Sequence, residues 1–196
     1  VTSPGSDEAE QVRLPQLMVG DTSLGQETDL DQPVPVVDWV TDITGARATI
    51  FQRMNDTGDM LRVATTVPNG EGERGIGTAI RASNADGTPN KVLAAVLQGE
   101  TYQGTATVLG TGYQAVYQPI TGPGGGIVGM LFVGIPQSTV SLLSESLEEK
   151  VIGESGYVTV VQGSGAARGR KLVGRDDGTA VGDDLLQTDA ASWLGP

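Results

Sequence analysis

The chain has 196 residues and a formal net charge of −12, from 24 acidic and 12 basic side chains. That length suits one large domain, or one domain and part of another, and the acidic balance excludes nucleic acid, whose phosphates require clustered Lys and Arg. Cysteine and histidine are both absent, which excludes disulfide frameworks, Ser-His-Asp triads, cysteine nucleophiles and zinc sites built on imidazole or thiolate.

Residues Val1 to Gln11 are polar and contain Pro4 and Gly5, the pattern of a flexible lead-in. Pro15, Pro33 and Pro35 keep residues 14–35 irregular, with a short strand expected at Gln16–Val19. Val36, Val37, Val40 and Ile43 then recur at helical spacing up to Gly45, and Trp39 on that helix reads as a packing anchor. Ala48–Arg53 and Met60–Val67 form two strands of a hairpin around the turn Asn55–Asp59. Pro68–Gly75 is a loop, and Gly77–Arg81 a short extended piece.

Asn90 is placed to cap a helix reaching Gln98, with Val92, Leu93, Val96 and Leu97 on its apolar face and Gly99 ending it. Tyr102–Leu109, Tyr113–Ile120 and Gly126–Ile135 follow as strands separated by glycine turns, and the Gly129–Gly134 stretch reads as buried sheet. Ile127–Pro136 is the most apolar run, but it is too short to cross a bilayer. Five strands with a helix after the first two predict one antiparallel sheet in an α+β, PAS-like arrangement. Gln137–Val151 predicts a further helix with Val140, Leu143, Leu147 and Val151 in one stripe. Tyr157–Gln162 and Lys171–Gly174 read as partner strands, and Asp183–Leu194 as a short helix.

An ordered set of segments carries a family resemblance: Asp38-Trp39-Val40, Thr49-Ile50-Phe51-Gln52, Leu61-Arg62-Val63-Ala64-Thr65, Arg74-Gly75-Ile76-Gly77-Thr78, Gly99-Glu100-Thr101-Tyr102-Gln103-Gly104, Tyr113, Tyr117-Gln118-Pro119-Ile120 and Gly129-Met130-Leu131-Phe132-Val133-Gly134. Together they resemble the Cache 3/Cache 2 fusion domain of methyl-accepting chemotaxis proteins. Ile152-Gly153-Glu154-Ser155-Gly156-Tyr157-Val158 resembles the start of that family's second half. The resemblance implies a lead-in at 1–35, a PAS-like Cache domain at 36–136, a linking helix at 137–152 and a truncated second Cache-like module from 153 to 196. It also implies an extracytoplasmic sensor without enzymatic activity or cofactor. Such a sensor binds a small carboxylate or amino acid, is anchored in the membrane only through segments outside this chain, and is compatible with a homodimer.

A sensor site needs a few placed polar groups on an apolar wall. On the strand 60–67, Arg62 alternates with Leu61 and Val63, and an arginine on a rigid strand clasps a carboxylate with two parallel hydrogen bonds. Arg62 suits equally an internal salt bridge. Tyr102, Tyr113 and Tyr117 offer rings with hydroxyls, either to a ligand or to core and rim packing. Tyr113 and Tyr117 share one parity. Thr65 and Arg74 complete the candidate ligand-binding set.

Gly70-Glu71-Gly72-Glu73-Arg74-Gly75 matches G-x-G-x-x-G in form only, because no strand leads into it, no helix opens at it, and two glutamates repel pyrophosphate. The acidic pairs Glu148-Glu149, Asp176-Asp177 and Asp183-Asp184 fall in turns or at helix ends. The stretch Asp176–Asp184 offers oxygens to a calcium ion but lacks the spacing and closing Glu of an EF-hand loop, and no metal site is expected. Two alternatives to the sensor remain: an extracellular assembly protein using the same sheet, and a hydrolase with two converging carboxylates.

Overall fold

The computed structural model of the chain describes residues 11–24, 26–154, 156–161 and 168–174. The chain divides into two compact units, Val1–Gln137 and Ser138–Pro196. In the first, two short strands, β1 (Met18–Val19) and β2 (Thr22–Ser23), pair antiparallel. They precede helix α1 (Val37–Thr44), strands β3 (Arg47–Arg53), β4 (Met60–Thr65) and β5 (Ala79–Ile80), helix α2 (Lys91–Leu97), and strands β6 (Tyr102–Val108), β7 (Thr111–Thr121) and β8 (Ile127–Pro136).

Strands β3 to β8 form one six-stranded sheet in the order β5-β4-β3-β8-β7-β6, every neighbour antiparallel. This is the α+β, PAS-like fold expected, with one strand more because Ala79–Ile80 joins the edge at β4. Local chemistry explains the hairpin and the helix. Asn55 Oδ1 accepts from the amides of Gly58 and Asp59, closing the β3–β4 turn. Gly58 holds a φ of 94°, and a side chain there would run into Leu97 of α2. Asn90 accepts from the amides of Val92 and Leu93 and starts α2.

Each face of the sheet has its own core. On one, Phe51, Met60, Tyr113, Tyr117, Met130 and Phe132 pack with Val92, Leu93 and Val96 of α2. On the other, Ala48, Ile50 and Ala64 pack with Leu24, Val34 and Val37 at the start of α1. Phe51 and Ile50 go to opposite faces because successive strand residues alternate.

Two expectations fail on the α1 face. Trp39 is 67 % exposed and anchors nothing, and Ile43 is nearly as open. With Val37 and Val40 turned to the sheet, Trp39 falls on the far side of this two-turn helix. The Gly129–Gly134 strand is not buried throughout either: Leu131 and Val133 are more than a third exposed. An eight-residue helix spans about 12 Å, and α1 packs on β3 and β4, leaving β7 and β8 open on that face.

The second unit holds most of helix α3 (Gln137–Glu148) and strands β9 (Val151–Ile152), β10 (Gly156–Tyr157), β11 (Thr159–Val161) and β12 (Lys171–Gly174). β9 pairs with β10, and β11 with β12, so Lys171–Gly174 has a partner strand as expected, but the strand expected at Tyr157–Gln162 is divided, with Tyr157 in β10 and Thr159–Val161 in β11. Val151 belongs to β9 rather than to the helical stripe, because α3 ends at Glu148. The expected helix Asp183–Leu194 and the acidic stretch before it lie outside the described residues.

Candidate functional site

The α2 face of the sheet gathers most of the candidate residues. Register places Thr65, Thr49, Phe132, Tyr117 and Tyr102 side by side in one row across five strands. The next row carries Arg62, Phe51 and Met130. Tyr113 shares the face with Tyr117, as their parity requires, and stacks edge-on against Phe132 at 5.7 Å between ring centres. Tyr117 lies 5.0 Å from Phe132 and 6.4 Å from Phe51. Such tilted and edge-to-face contacts fix ring positions beyond what burial alone does.

Arg62 enters this aromatic layer. Its residue is 4 % exposed, and Cζ sits 5.0 Å above the Phe51 ring. Both hydrogen bonds it donates leave from Nη1, to the Gly75 carbonyl at 3.3 Å and to Thr78 Oγ1. Nε is enclosed and has no partner. The Nε–Nη2 edge, the side-on fork that matches two carboxylate oxygens, is therefore unpaired. Among the described residues no carboxylate pairs with Arg62, so the salt-bridge alternative has no partner there. Burial without a counter-ion pulls the guanidinium down to about 10, against the opposing pull of Tyr117 and Tyr113. The same burial pushes the Tyr117 hydroxyl up to about 12, with Arg62 opposing the rise, and raises Tyr113 as well.

The other candidates divide clearly. Tyr102 stands at the rim, its hydroxyl on the Thr105 carbonyl at 3.2 Å, its ring edge-on to Tyr117 and 6.0 Å from Lys91 Nζ. Thr65 is fully buried, and its hydroxyl is occupied by Thr49 Oγ1 at 2.6 Å and the Val67 amide at 3.0 Å. Arg74 lies apart from the site and is committed elsewhere. Its Nη1 and Nη2 grip both oxygens of Asp38 at 2.9 Å, and the guanidinium also donates to the carbonyls of Asp29, Leu30, Gln32 and Thr65. Every nitrogen is satisfied, so Arg74 has no donor to offer a ligand; it latches α1 to the loops on either side.

Sequence reasoning passed over Phe51 and Thr49, although their shared parity on β3 with the row facing Arg62 is visible once a register is known. It also passed over Arg47, one residue before the expected strand start, whose Nη1 reaches the Thr66 carbonyl at 3.2 Å and whose charge acts on Tyr113. Two cavities border the sheet, one on each face, the larger on the α1 side and the smaller on the α2 side. One of about 1160 Å³ lies along β4, with Leu61, Arg62, Val63, Gln52, Leu17 and Leu24 in its wall. Another of about 600 Å³ lies over β6 and the start of α2, with Tyr117, Ala106 and Val92 in its wall.

Compared with known proteins, residues 2–192 match the family described as the Cache 3/Cache 2 fusion domain. No curated protein and no solved structure matches the chain.

Proposed function

The chain belongs to the Cache 3/Cache 2 fusion domain family, and from that footing we propose that it is the ligand-binding sensor domain of a chemoreceptor or related signalling receptor, taking a small carboxylate, an organic acid or an amino acid. Cache domains are extracytoplasmic, non-enzymatic modules that sense small molecules. No helix among the described residues is long and apolar enough to cross a membrane. The proposal puts membrane anchoring in segments outside this chain. We assign the sensor to residues 36–136, the link to 137–152 and a second module to 153–196.

The observation that carries the reading is the unpaired Nε–Nη2 edge of a buried Arg62 among Phe51, Tyr113 and Tyr117. A guanidinium withdrawn from water with no counter-ion has the most to gain from an arriving carboxylate. Tyr113 and Tyr117 supply the second contact and Tyr102 the rim. Thr65 positions the row through Thr49. Binding favours the arrangement in which the fork faces the ligand, and the shift passes by population rather than by force. It has a short route outward: Nη1 holds Gly75, the next residue is Arg74, and Arg74 is latched to Asp38 on α1. β8 runs directly into α3 at Gln137.

Calorimetric titration of the folded protein with a panel of organic acids and amino acids tests this. At least one binds the natural chain, and Arg62→Met abolishes that binding while the variant stays folded. Silence across the panel sinks the proposal. One observation favours assembly as a second reading: Val116, Val128, Leu131, Val133 and Ile135 stand more than a third exposed on the sheet. Sedimentation showing a tight oligomer with no ligand response would support it.

A further inference from the structure

Resting on that reading, we infer that the ligand is a carboxylate carrying no ammonium group, so that the site rejects α-amino acids in favour of their deaminated counterparts. The charges on and around the α2 face carry this inference. Strands β6, β7 and β8 contain no charged residue at all, and Lys91 is the only charge on α2. The remaining charges on the strands beneath are cationic: Arg47 and Arg53 on β3 and Arg62 on β4.

The carboxylates around this face are engaged or turned outward. Asp59 is held by Arg81 Nη1 and the Ala82 amide at 2.8 Å and by Asn55 Nδ2 at 3.0 Å. Those bonds outweigh its burial and lower its pKa. Glu71, Glu73 and Asp86, in the segment between β4 and α2, are exposed. An α-amino acid that seats its carboxylate on Arg62 brings its ammonium to within a few ångströms of that cation, where no anion among the described residues receives it. The tyrosine hydroxyls are neutral acceptors. They can hydrogen-bond an ammonium but do not offset repulsion from Arg62 and Arg47, and a desolvated, unpaired ammonium is costly. A keto, hydroxy or plain alkyl group in the same position meets no such penalty, and the aromatic rings suit its apolar part.

The test is a set of matched pairs titrated against the natural chain by calorimetry: pyruvate and lactate against alanine, 2-oxoglutarate against glutamate, 4-methylpentanoate against leucine. The deaminated member of any binding pair is expected to bind roughly tenfold or more tightly, the factor that about 1.4 kcal/mol confers. Its affinity is lost in Arg62→Met and only partly kept in Arg62→Lys, which preserves charge but not the fork. Amino acids that bind as well as or better than their partners overturn the inference and leave the sensor reading standing. Failure of every pair, with the protein folded, overturns both.

Discussion

A guanidinium taken out of water loses hydration that only an anion or several well-placed acceptors can replace. Arg74 has replaced it in full, with one carboxylate and four carbonyls. Arg62 has replaced only part of it, with one carbonyl and one hydroxyl, and its proton is correspondingly easier to remove. The two side chains are similarly buried, so it is partner supply that separates a latch from a binding site. A pH dependence follows. Carboxylate affinity is expected to stay level from about pH 6 to 9 and to fall as pH rises through about 10, where Arg62 loses its charge. Titrations across that range measure it. Stability responds with opposite signs at two residues. Above pH 10 an unfolded arginine still holds the proton that native Arg62 has lost, so this residue makes stability rise with pH. Native Tyr117 keeps its proton up to about 12 while an unfolded tyrosine loses it near 10, so this residue makes stability fall over pH 10–12. Tyr117→Phe removes the falling contribution, and its urea-unfolding free energy is expected to gain on the natural chain as pH climbs from 10 to 12.

Among the elements, α1 and α2 play unlike parts. α2 closes the aromatic face with Val92, Leu93 and Val96, and its start is secured by Asn90. α1 covers only β3 and β4, and it is held at its first turn by the Asp38–Arg74 pair. Asp38 also accepts from the Val34 amide, fixing the bend where Val36 takes a φ of 72° before the helix. A positive φ at a β-branched residue is strained and persists only where its surroundings over-determine it. The latch supplies that determination. Arg74→Met strands a carboxylate and four carbonyls at once and is expected to cost roughly 3–5 kcal/mol, the range for breaking a buried pair from one side. Urea denaturation reads the loss. A cost below about 1 kcal/mol would mean that the pair does not hold α1.

For the molecule as a whole, the sheet, both helices packed on it and every candidate ligand residue fall within Val1–Gln137. That unit has a core on each face of its sheet, which is what independent folding requires. A fragment ending at Gln137 is expected to unfold in a single cooperative transition and to bind ligand with the affinity of the full chain. Circular dichroism and calorimetry on the fragment check both. Loss of binding in a folded fragment would show that residues beyond 137 complete the site.

Much of this was legible from the residues alone, because its causes are local. Asn90, Gly99 and the apolar spacing between them determined α2. Alternation set the strands, and parity put Tyr113 and Tyr117 on one face. The ordered segments from Asp38 to Gly134 carried the family. Other features rest on long-range pairing, which neither propensity nor spacing encodes. Arg62 and Arg74 are alike as residues in a sequence. Only the tertiary structure brings Asp38 to one and leaves the other beside Phe51 without an anion among the described residues, because a buried charge takes its role from groups that lie dozens of residues away. Trp39 and Leu131 were misread because an apolar side chain is buried only where another element covers it: Trp39 lies on the side of α1 turned from the sheet, and α1 stops short of Leu131.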